Sequence, residues 1–131
     1  MGSVHLITGL PGVGKTSLLL SLLEKLPGKK GGFYTQEIRD GGRRVGFQIT
    51  DLAGHEGVLA HVNLPGPPRV GRYGVDLKSF DAIGVRAVNH ALKGADLIVI
   101  DEIGKMELCS PQFQKVLFEV LENHDPFWAR F

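Results

Sequence analysis

The sequence predicts a three-layer α/β domain with a mainly parallel sheet, and two local patterns carry this prediction. Residues 4–8 form a short apolar run, which is followed by a glycine-rich turn and by the leucine-rich segment 17–26. Residues 97–100 read LIVI, a continuous apolar run typical of a strand buried on both faces of a parallel sheet. A strand, a loop and a helix in this order, together with a fully apolar strand, favour a parallel sheet covered by helices.

The glycine-rich turn has the sequence of a phosphate-binding loop. Residues 9–16 read GLPGVGKT and fit the pattern G-x-x-x-x-G-K-[ST] without a mismatch. Glycines let the backbone N–H groups point at phosphate oxygens, at the positive end of a helix dipole. A chance glycine-rich turn is the alternative. We predict nucleotide-binding roles for Gly9, Leu10, Pro11, Gly12, Val13, Gly14, Lys15, Thr16 and Ser17.

Within this loop, two side chains have specific predicted roles. Lys15 supplies a positive charge to the β- and γ-phosphates, and the Thr16 hydroxyl is a predicted ligand of Mg²⁺. The sequence therefore predicts that the chain binds a nucleoside triphosphate, such as ATP, GTP or others, with Mg²⁺ as cofactor.

An acidic pair, Asp101 and Glu102, directly follows the apolar run 97–100. The carboxyl ends of strands in open α/β sheets border the crevice where ligands bind. Asp101 is the predicted metal-side acid, acting through a water. Glu102 is the predicted base that orients and deprotonates an attacking water. A strand that simply ends in two solvated acids is the alternative.

The first half of the chain predicts one helix and an antiparallel hairpin. Leucines at helical spacing predict a helix over residues 15–26, which ends at a Pro-Gly pair. Residues 33–38 and 45–49 read as strands, and the turn signal at 40–42 joins them as a hairpin added to the sheet. Residues 53–74 are rich in glycine and proline, which predicts a long, partly ordered loop with room for another short hairpin.

Two further helices follow from capping signals. Ser79 is the predicted N-cap of a helix over residues 80–93. Ser110 and Pro111 are the predicted N-cap and first residue of a last helix that ends near residue 123. The strands 4–8, 33–38 and 97–101 are the predicted parallel core of the sheet.

Composition excludes several other classes. The 131 residues fit a single domain, and the formal net charge of +1 gives no reason to expect a nucleic-acid partner. Cys109 is the only cysteine, so no intrachain disulfide can form, and we interpret it as a small packing residue. No apolar run approaches the length of a membrane span, so a cytoplasmic protein without a membrane partner is expected.

Four more segments accompany the phosphate loop, in the order GFYTQEIR (32–39), GRRVGF (42–47), RVGRYGVDL (69–77) and DEIGKMEL (101–108). Together they resemble the cancer-related nucleoside-triphosphatase family, which is also known from thermophiles. The resemblance covers residues 3 to about 122. It implies a P-loop fold of the group with a Walker B glutamate. It also implies slow, Mg²⁺-dependent hydrolysis of several ribonucleoside triphosphates to diphosphate and phosphate.

The same resemblance implies roles for individual residues. The loop 9–16 holds the phosphates, Asp101 serves Mg²⁺, and Glu102 activates water. The predicted catalytic residues are Glu102, Lys15 and Lys105. For Lys105, a position near the γ-phosphate and a solvated turn are equally consistent with the sequence.

Several other polar residues have two readings. Arg39, Arg43, Arg44 and Arg72 could supply transition-state charge, but structural or surface roles are favoured. Thr35 and Glu37 share one strand face and would either approach Mg²⁺ or pair across the hairpin.

The carboxyl-terminal segment departs from the family. Members continue with another strand and further elements, whereas Pro126 and Arg130 interrupt any apolar run here, so residues 126–131 are not expected to form the next strand. We therefore predict a P-loop NTPase domain, residues 1–131, that is C-terminally incomplete. Strand 97–101 would be open on one side, and either the tail packs back on the sheet or two chains associate through this edge.

Two other functions remain open from the residues alone. A P-loop small-molecule kinase would share the loop, but it normally needs an arginine-rich lid, and no such segment follows residue 79. A nucleotide-binding module with little turnover is the second alternative. The adjacent acids at 101 and 102 favour water as the acceptor, and hence a nucleoside-triphosphate hydrolase.

Overall fold

The computed structural model describes residues 5–8, 15–101, 103–123 and 126–128, with side chains described for residues 17–101 and 103–122. The strands are β1 (His5–Thr8), β2 (Lys30–Asp40), β3 (Arg43–Asp51), β4 (Glu56–His61), β5 (Arg69–Val70), β6 (Tyr73–Val75), β7 (Leu97–Ile100) and β8 (Pro126–Trp128). Within this part of the chain they form one sheet in the order β5-β6-β4-β3-β2-β7-β1-β8.

The parallel core of the sheet consists of β1, β7 and β2, as predicted. Ile7 is in register with Val99, and Phe33 is in register with Ile100. β7 therefore has a neighbour on each side, and the prediction that strand 97–101 would be open on one side is wrong. The reason is topological: the amino-terminal strand itself pairs with β7. Self-association of two chains through an open edge of β7 is therefore not expected.

The carboxyl-terminal segment also differs from expectation. Residues Pro126–Trp128 form β8, which pairs in parallel with the outer side of β1, with Phe127 in register with Ile7. The prediction that no strand forms here is wrong. Proline is tolerated as the first residue of a strand, so Pro126 does not prevent three residues from pairing. The tail packs back on the sheet, which is one of the two arrangements predicted for it.

The remaining strands extend the sheet with antiparallel pairs. β2 and β3 form the predicted hairpin, with Thr35 in register with Ile49. β2 pairs with β7 only as far as Phe33, so residues 34–40 project past the carboxyl end of β7. The segment 53–74 is more ordered than predicted, because β4 pairs with β3 and a short β5–β6 hairpin follows.

Helices cover both faces of the sheet and give the predicted three layers. On one face, α1 (Lys15–Lys25) packs Leu19 and Leu23 against Leu97 and Val99 of β7. On the other face lie α2 (Leu77–Phe80), a π-helical turn (Asp81–Val85), α3 (Arg86–Leu92) and α5 (Pro111–Asn123), which follows the short α4 (Lys105–Leu108). None of the helices in the described part of the chain has the length and hydropathy needed to cross a bilayer.

The second face is centred on three fully buried aromatic rings. Phe33 of β2 contacts Phe80 and Phe113 edge-to-face, with ring centroids 5.5 Å and 6.0 Å apart, and Phe80 lies 5.2 Å from Phe113. Such pairs contribute about 0.5–1.5 kcal/mol each beyond their buried area. This cluster fixes β2 and the last helix relative to each other.

The two predicted caps have different outcomes. The Ser110 hydroxyl accepts a hydrogen bond from the Phe113 amide at 3.0 Å, so the cap of α5 is confirmed. The prediction that Ser79 is the N-cap of a helix over residues 80–93 is wrong, because the helix begins earlier and Ser79 lies inside α2. Instead, the Asp76 carboxylate caps α2 and accepts from the Ser79 amide at 3.0 Å. Asp and Ser are both good capping residues, and only three positions separate them.

Candidate active site

The carboxyl end of β1, after which the sequence of the predicted phosphate loop follows, lies beside the carboxyl end of β7, after which the predicted metal-side acid follows. Residues 9–14 connect the carboxyl end of β1 to the amino end of α1, and β1 lies directly beside β7 in parallel register. Thr8, the last residue of β1, therefore lies beside the end of β7, which Asp101 directly follows. This edge, at the carboxyl ends of parallel strands, is where open α/β sheets bind ligands.

The predicted nucleotide-binding residues are only partly within the described structure. Lys15 and Thr16 are the first residues of α1, and Ser17 is exposed in the same turn. The first residues of a helix offer backbone N–H groups to an anion. The others lie outside the described residues: Gly9, Leu10, Pro11, Gly12, Val13 and Gly14. The predicted base Glu102 lies outside them as well.

Asp101 is held in place by the neighbouring strand. Its side chain is 1% exposed, and the backbone amide of Thr35 donates a hydrogen bond to its Oδ2 at 3.0 Å. This contact exists because β2 continues past the end of β7 and brings Thr35 over the carboxylate. This hydrogen bond to a buried side chain fixes the orientation of the Asp101 carboxyl group.

The segment after the acidic pair turns back over the sheet edge. Lys105 is exposed at the start of α4, and Glu107 is 3% exposed, with its Oε1 accepting a hydrogen bond from the Gly104 amide at 3.2 Å. The partly buried Cys109 contacts the Lys105 carbonyl at 3.2 Å through its thiol. The packing role of Cys109 stays a prediction, and Lys105 stays a candidate because it follows Asp101 by four residues in the sequence.

A cavity that sequence reasoning did not find lies between this segment and the β2–β3 hairpin. It has a volume of about 330 Å³ and is bordered by the apolar residues Phe47, Leu59, Val70 and Met106, and by Thr35, Gly104, Lys105 and Glu107. These residues come from β2, β3, β4, β5 and the segment 104–107, so no local sequence pattern could have revealed it. We call it the hairpin cavity.

The arginines of the hairpin region are engaged in structural contacts. Glu37 forms ion pairs with Arg39 at 2.7 Å and, across the hairpin, with Arg44 at 3.5 Å. Arg44 and Arg72 donate hydrogen bonds to the Tyr73 hydroxyl at 3.0 Å and 3.2 Å. The favoured structural reading of Arg39, Arg44 and Arg72 therefore agrees with the geometry. Arg43 is exposed beside the hairpin turn.

Thr35 and Glu37 thus separate in role, although they share a strand face. Thr35 contacts Asp101, whereas Glu37 pairs with arginines.

Arg44 and Arg72 change the acidity of Tyr73. Burial by itself raises the pKa of this phenol, but hydrogen bonds from Arg72 and Arg44, and their charges, lower it by more. The net pKa of Tyr73 lies below its ordinary value of 10.0.

A phosphate-loop sequence that follows one parallel strand, beside a buried strand that is followed by an acid, defines the class of P-loop nucleotide-binding proteins. Comparison with known proteins identifies the family within this class. The sequence profile of the NTPase family matches residues 4–130. The chain therefore belongs to the NTPase family of nucleoside-triphosphatases. The match extends past residue 122, where the resemblance was expected to end.

Individual relatives agree with this assignment. The chain is 52% identical over 118 residues to the nucleoside-triphosphatase THEP1 of Thermotoga sp. (strain RQ2), covering 90% of this chain and 67% of that protein. It is 50% identical over 127 residues to THEP1 of Methanocaldococcus jannaschii, covering 94% of this chain and 74% of that protein. The chain therefore spans about two thirds to three quarters of the length of these relatives.

Two solved structures share the fold. The crystal structure of THEP1 from Aquifex aeolicus superposes with a TM-score of 0.81 at 32% sequence identity, covering 97% of this chain and 76% of that chain. The solution structure of a human cancer-related nucleoside triphosphatase gives a TM-score of 0.67 at 38% sequence identity. The superposition covers 99% of this chain and 75% of that chain. The predicted P-loop NTPase fold is confirmed.

Proposed function

We propose that this chain hydrolyses nucleoside 5′-triphosphates to diphosphate and phosphate, slowly, with Mg²⁺ and with broad base specificity. The observation that carries the proposal is the buried Asp101, held by the Thr35 amide beside the strand that leads into the phosphate loop. Membership of the nucleoside-triphosphatase family supports the reaction type.

The residues at this edge fit Mg²⁺. This ion prefers oxygen ligands, keeps several waters, and is commonly held by one or two carboxylates together with substrate phosphates. Within the residues that the structure describes, no three or more His, Cys, Asp or Glu side chains gather into a metal cage. The buried Asp101 carboxylate, with the Thr16 hydroxyl as a second candidate, fits this kind of donor set. Bound there, Mg²⁺ would neutralise charge on the β- and γ-phosphates.

The chain's own residues then have distinct tasks. Lys15 places a positive charge against the β- and γ-phosphates, and the backbone at the start of α1 contributes N–H donors. Glu102 accepts the proton of the attacking water, whose oxygen bonds to the γ-phosphorus as the bond to the leaving diphosphate breaks. Asp101 holds the metal side of the site in a fixed position.

The low rate is what the family resemblance implies. An arginine that stabilises the transition state accelerates phosphoryl transfer by about 10³–10⁵-fold. Arg39, Arg44 and Arg72 instead contact Glu37 and Tyr73, which is compatible with slow turnover. Broad base specificity is what the family resemblance implies.

The test measures phosphate release from ATP, GTP, CTP and UTP, with Mg²⁺ and with a chelator. Lys15→Ala should weaken triphosphate binding by about 2 kcal/mol or more, because a charge-assisted contact is lost. Lys25→Ala is the matched control, since Lys25 is exposed at the other end of α1. Equal affinities for both variants by calorimetry would contradict the nucleotide site.

The catalytic step has its own pair of variants. Glu102→Gln keeps the shape but cannot accept a proton, so turnover should fall by about 10²-fold or more while binding survives. Glu122→Gln, at an exposed position on α5, is the control and should hydrolyse normally. Wild-type turnover by Glu102→Gln would exclude Glu102 as the base. Nucleotide binding without phosphate release by the wild type would leave only a binding module.

A further inference from the structure

A second cavity lies at the amino ends of β2 and β7, away from their carboxyl ends. Its basic residues are Lys29, Lys30, His90 and Lys93. We call it the basic cleft. Lys30 is the first residue of β2 and is in register with Leu97, the first residue of β7. Since a strand rises about 3.3 Å per residue, Lys30 lies about 17 Å along β2 from Thr35, whose amide contacts Asp101. The basic cleft is therefore separate from Asp101 and Thr35.

Two segments that are distant in sequence supply the charges of the cleft. The first two lysines lie at the start of β2 or directly before it, whereas the histidine and the third lysine lie at the end of α3. Gly31 lets the two segments approach closely, because a Cβ at this position would lie only 2.6 Å from the Cβ of Ala91. The cluster of cations is thus a product of the tertiary fold.

The three lysines of the cleft form no ion pair with an acid in the part of the chain whose side chains the structure describes. The ammonium group of Lys30 donates a hydrogen bond to the Gly28 carbonyl at 3.3 Å. The Asp96 carboxylate accepts from the backbone amide of Lys29 at 2.9 Å, so it binds the backbone and not an ammonium group. No carboxylate among these side chains therefore neutralises the cleft.

The end of α3 by itself does not account for this cluster. Cations in the last turn of a helix complement its dipole, which is a sufficient reason for His90 and Lys93 but not for the two lysines of the β2 segment. The last carbonyls of α3 are also occupied, because those of His90 and Ala91 accept from the backbone amides of residues 93–95. The ammonium groups are therefore not needed to satisfy the end of the helix.

The lining indicates the chemistry of an occupant. The volume of about 510 Å³ is within the usual range for small-molecule sites. Lysine binds phosphate as a point charge, and a single phosphate group carries about two negative charges, so three ammonium groups match two linked phosphates more closely than one. A nucleic-acid strand needs cations that follow its backbone, whereas these cations line one cleft. The described lining contains no aromatic ring, so a base would have nothing on which to stack.

We infer that the basic cleft binds the diphosphate group of a small molecule through the ammonium groups of Lys29, Lys30 and Lys93. His90 supplies a further hydrogen-bonding group. Inorganic pyrophosphate and a nucleoside diphosphate both carry the recognised group. Because only the phosphates are contacted, the two should bind here with similar affinity. Binding at this cleft does not require the proposed hydrolysis.

The experiment is an NMR titration of isotope-labelled protein with inorganic pyrophosphate, in the presence of a chelator so that no metal ion neutralises the ligand. The backbone amides of Gly31, Gly94 and Ala95 line the cleft and report binding there, whichever other site the ligand also occupies. We expect their resonances to shift saturably with a single Kd. This Kd should rise with salt concentration, because salt screens exposed charges. ADP should give a similar Kd at the same amides.

Two double variants test the lysines. Lys30→Ala combined with Lys93→Ala should raise the Kd for pyrophosphate about fivefold or more, since each exposed charge pair changes an equilibrium by up to about fivefold. Lys78→Ala combined with Lys115→Ala is the matched control. It removes the same charge from exposed positions that do not line the cleft, so its Kd should equal that of the wild type.

Gly94 offers a second test that leaves the lysines in place. A Cβ at this position meets no atom within 4 Å, so the cleft has room for a side chain there. Gly94→Asp adds a negative charge to the lining and should raise the Kd about fivefold or more relative to Gly94→Asn, which has nearly the same shape. The amides of Gly31 and Ala95 are the readout in this pair, and thermal melting checks that both variants fold.

Each outcome decides. Saturable shifts that weaken in the cleft variants but not in their controls support the inference. Absence of saturable shifts at the cleft amides of the wild type overturns it, and so does equal weakening by both double variants, because net charge alone then explains binding. A Kd about tenfold lower for ADP than for pyrophosphate also overturns it, because the base is then recognised. Phosphate release from triphosphates is measured separately, and its absence would count against the proposed hydrolysis alone.

Discussion

Gly32 of β2 lies in register with Val99 of β7, and its replacement tests how the strand before the acidic pair is held. Its φ of +114° is a conformation that side-chain-bearing residues rarely adopt. A Cβ at this position would overlap the carbonyl oxygen of Val99 and lie 2.8 Å from the Val99 carbonyl carbon. Both neighbours are strand backbone and cannot rotate away. Gly32→Ala must therefore separate two paired strands in the centre of the sheet.

The cost can be estimated from two terms. A residue in a sparsely populated backbone region costs about 1–3 kcal/mol. Forcing an extra carbon into a packed interior costs about 1–3 kcal/mol more. Gly32→Ala should therefore lower the free energy of unfolding by about 4 kcal/mol, a large part of the 5–15 kcal/mol typical of a domain. Because Val99 lies two residues before Asp101, hydrolysis by the folded fraction should fall as well.

Gly41→Ala is the matched control for this substitution. Gly41 also has a positive φ, of +58°, but a Cβ there meets no atom within 4 Å. Gly41→Ala should lower the free energy of unfolding by only about 1 kcal/mol, because the backbone strain is present but the steric overlap is not. Urea unfolding measures the free energy of unfolding of both variants, provided that the m-value stays equal to that of the wild type. Equal losses in the two variants would refute the close approach of β2 to β7.

Three further predictions concern the metal side, the hairpin and the tail. Asp101→Asn removes the negative charge of the proposed metal-side acid, so hydrolysis should require a higher Mg²⁺ concentration. A Mg²⁺ titration of phosphate release with an unchanged midpoint would contradict this. The Tyr73 phenol should ionise below pH 10.0 in the folded protein. Since its pKa is lower in the folded than in the unfolded state, the unfolded state binds more protons in this pH range. The difference in free energy of unfolding between wild type and Tyr73→Phe should therefore increase as the pH rises towards 10.0. Phenolate absorbance and urea unfolding at several pH values check both points. Deletion of residues 126–131 removes β8 from the outer side of β1, so the melting temperature should fall and light scattering should report association; an unchanged monomer would show that β8 adds nothing.

Local patterns predicted those parts of the fold whose partners lie nearby in sequence. The hairpin turn at residues 40–42 and the cap at Ser110 depend on a few adjacent residues, and both agree with the structure. The apolar run 97–100 identified a buried strand, because a strand covered on both faces needs no polar position. The sequence motif also identified Asp101 as a residue at the carboxyl end of that strand.

Features that depend on distant pairing could not be predicted in this way. β4 is stabilised by pairing with β3, so the glycines around residues 53–74 suggested a loop where the sheet continues. β8 has only three residues, and its pairing depends on the free side of β1, more than a hundred positions earlier. The Thr35–Asp101 hydrogen bond and the hairpin cavity likewise combine segments that are separate in sequence.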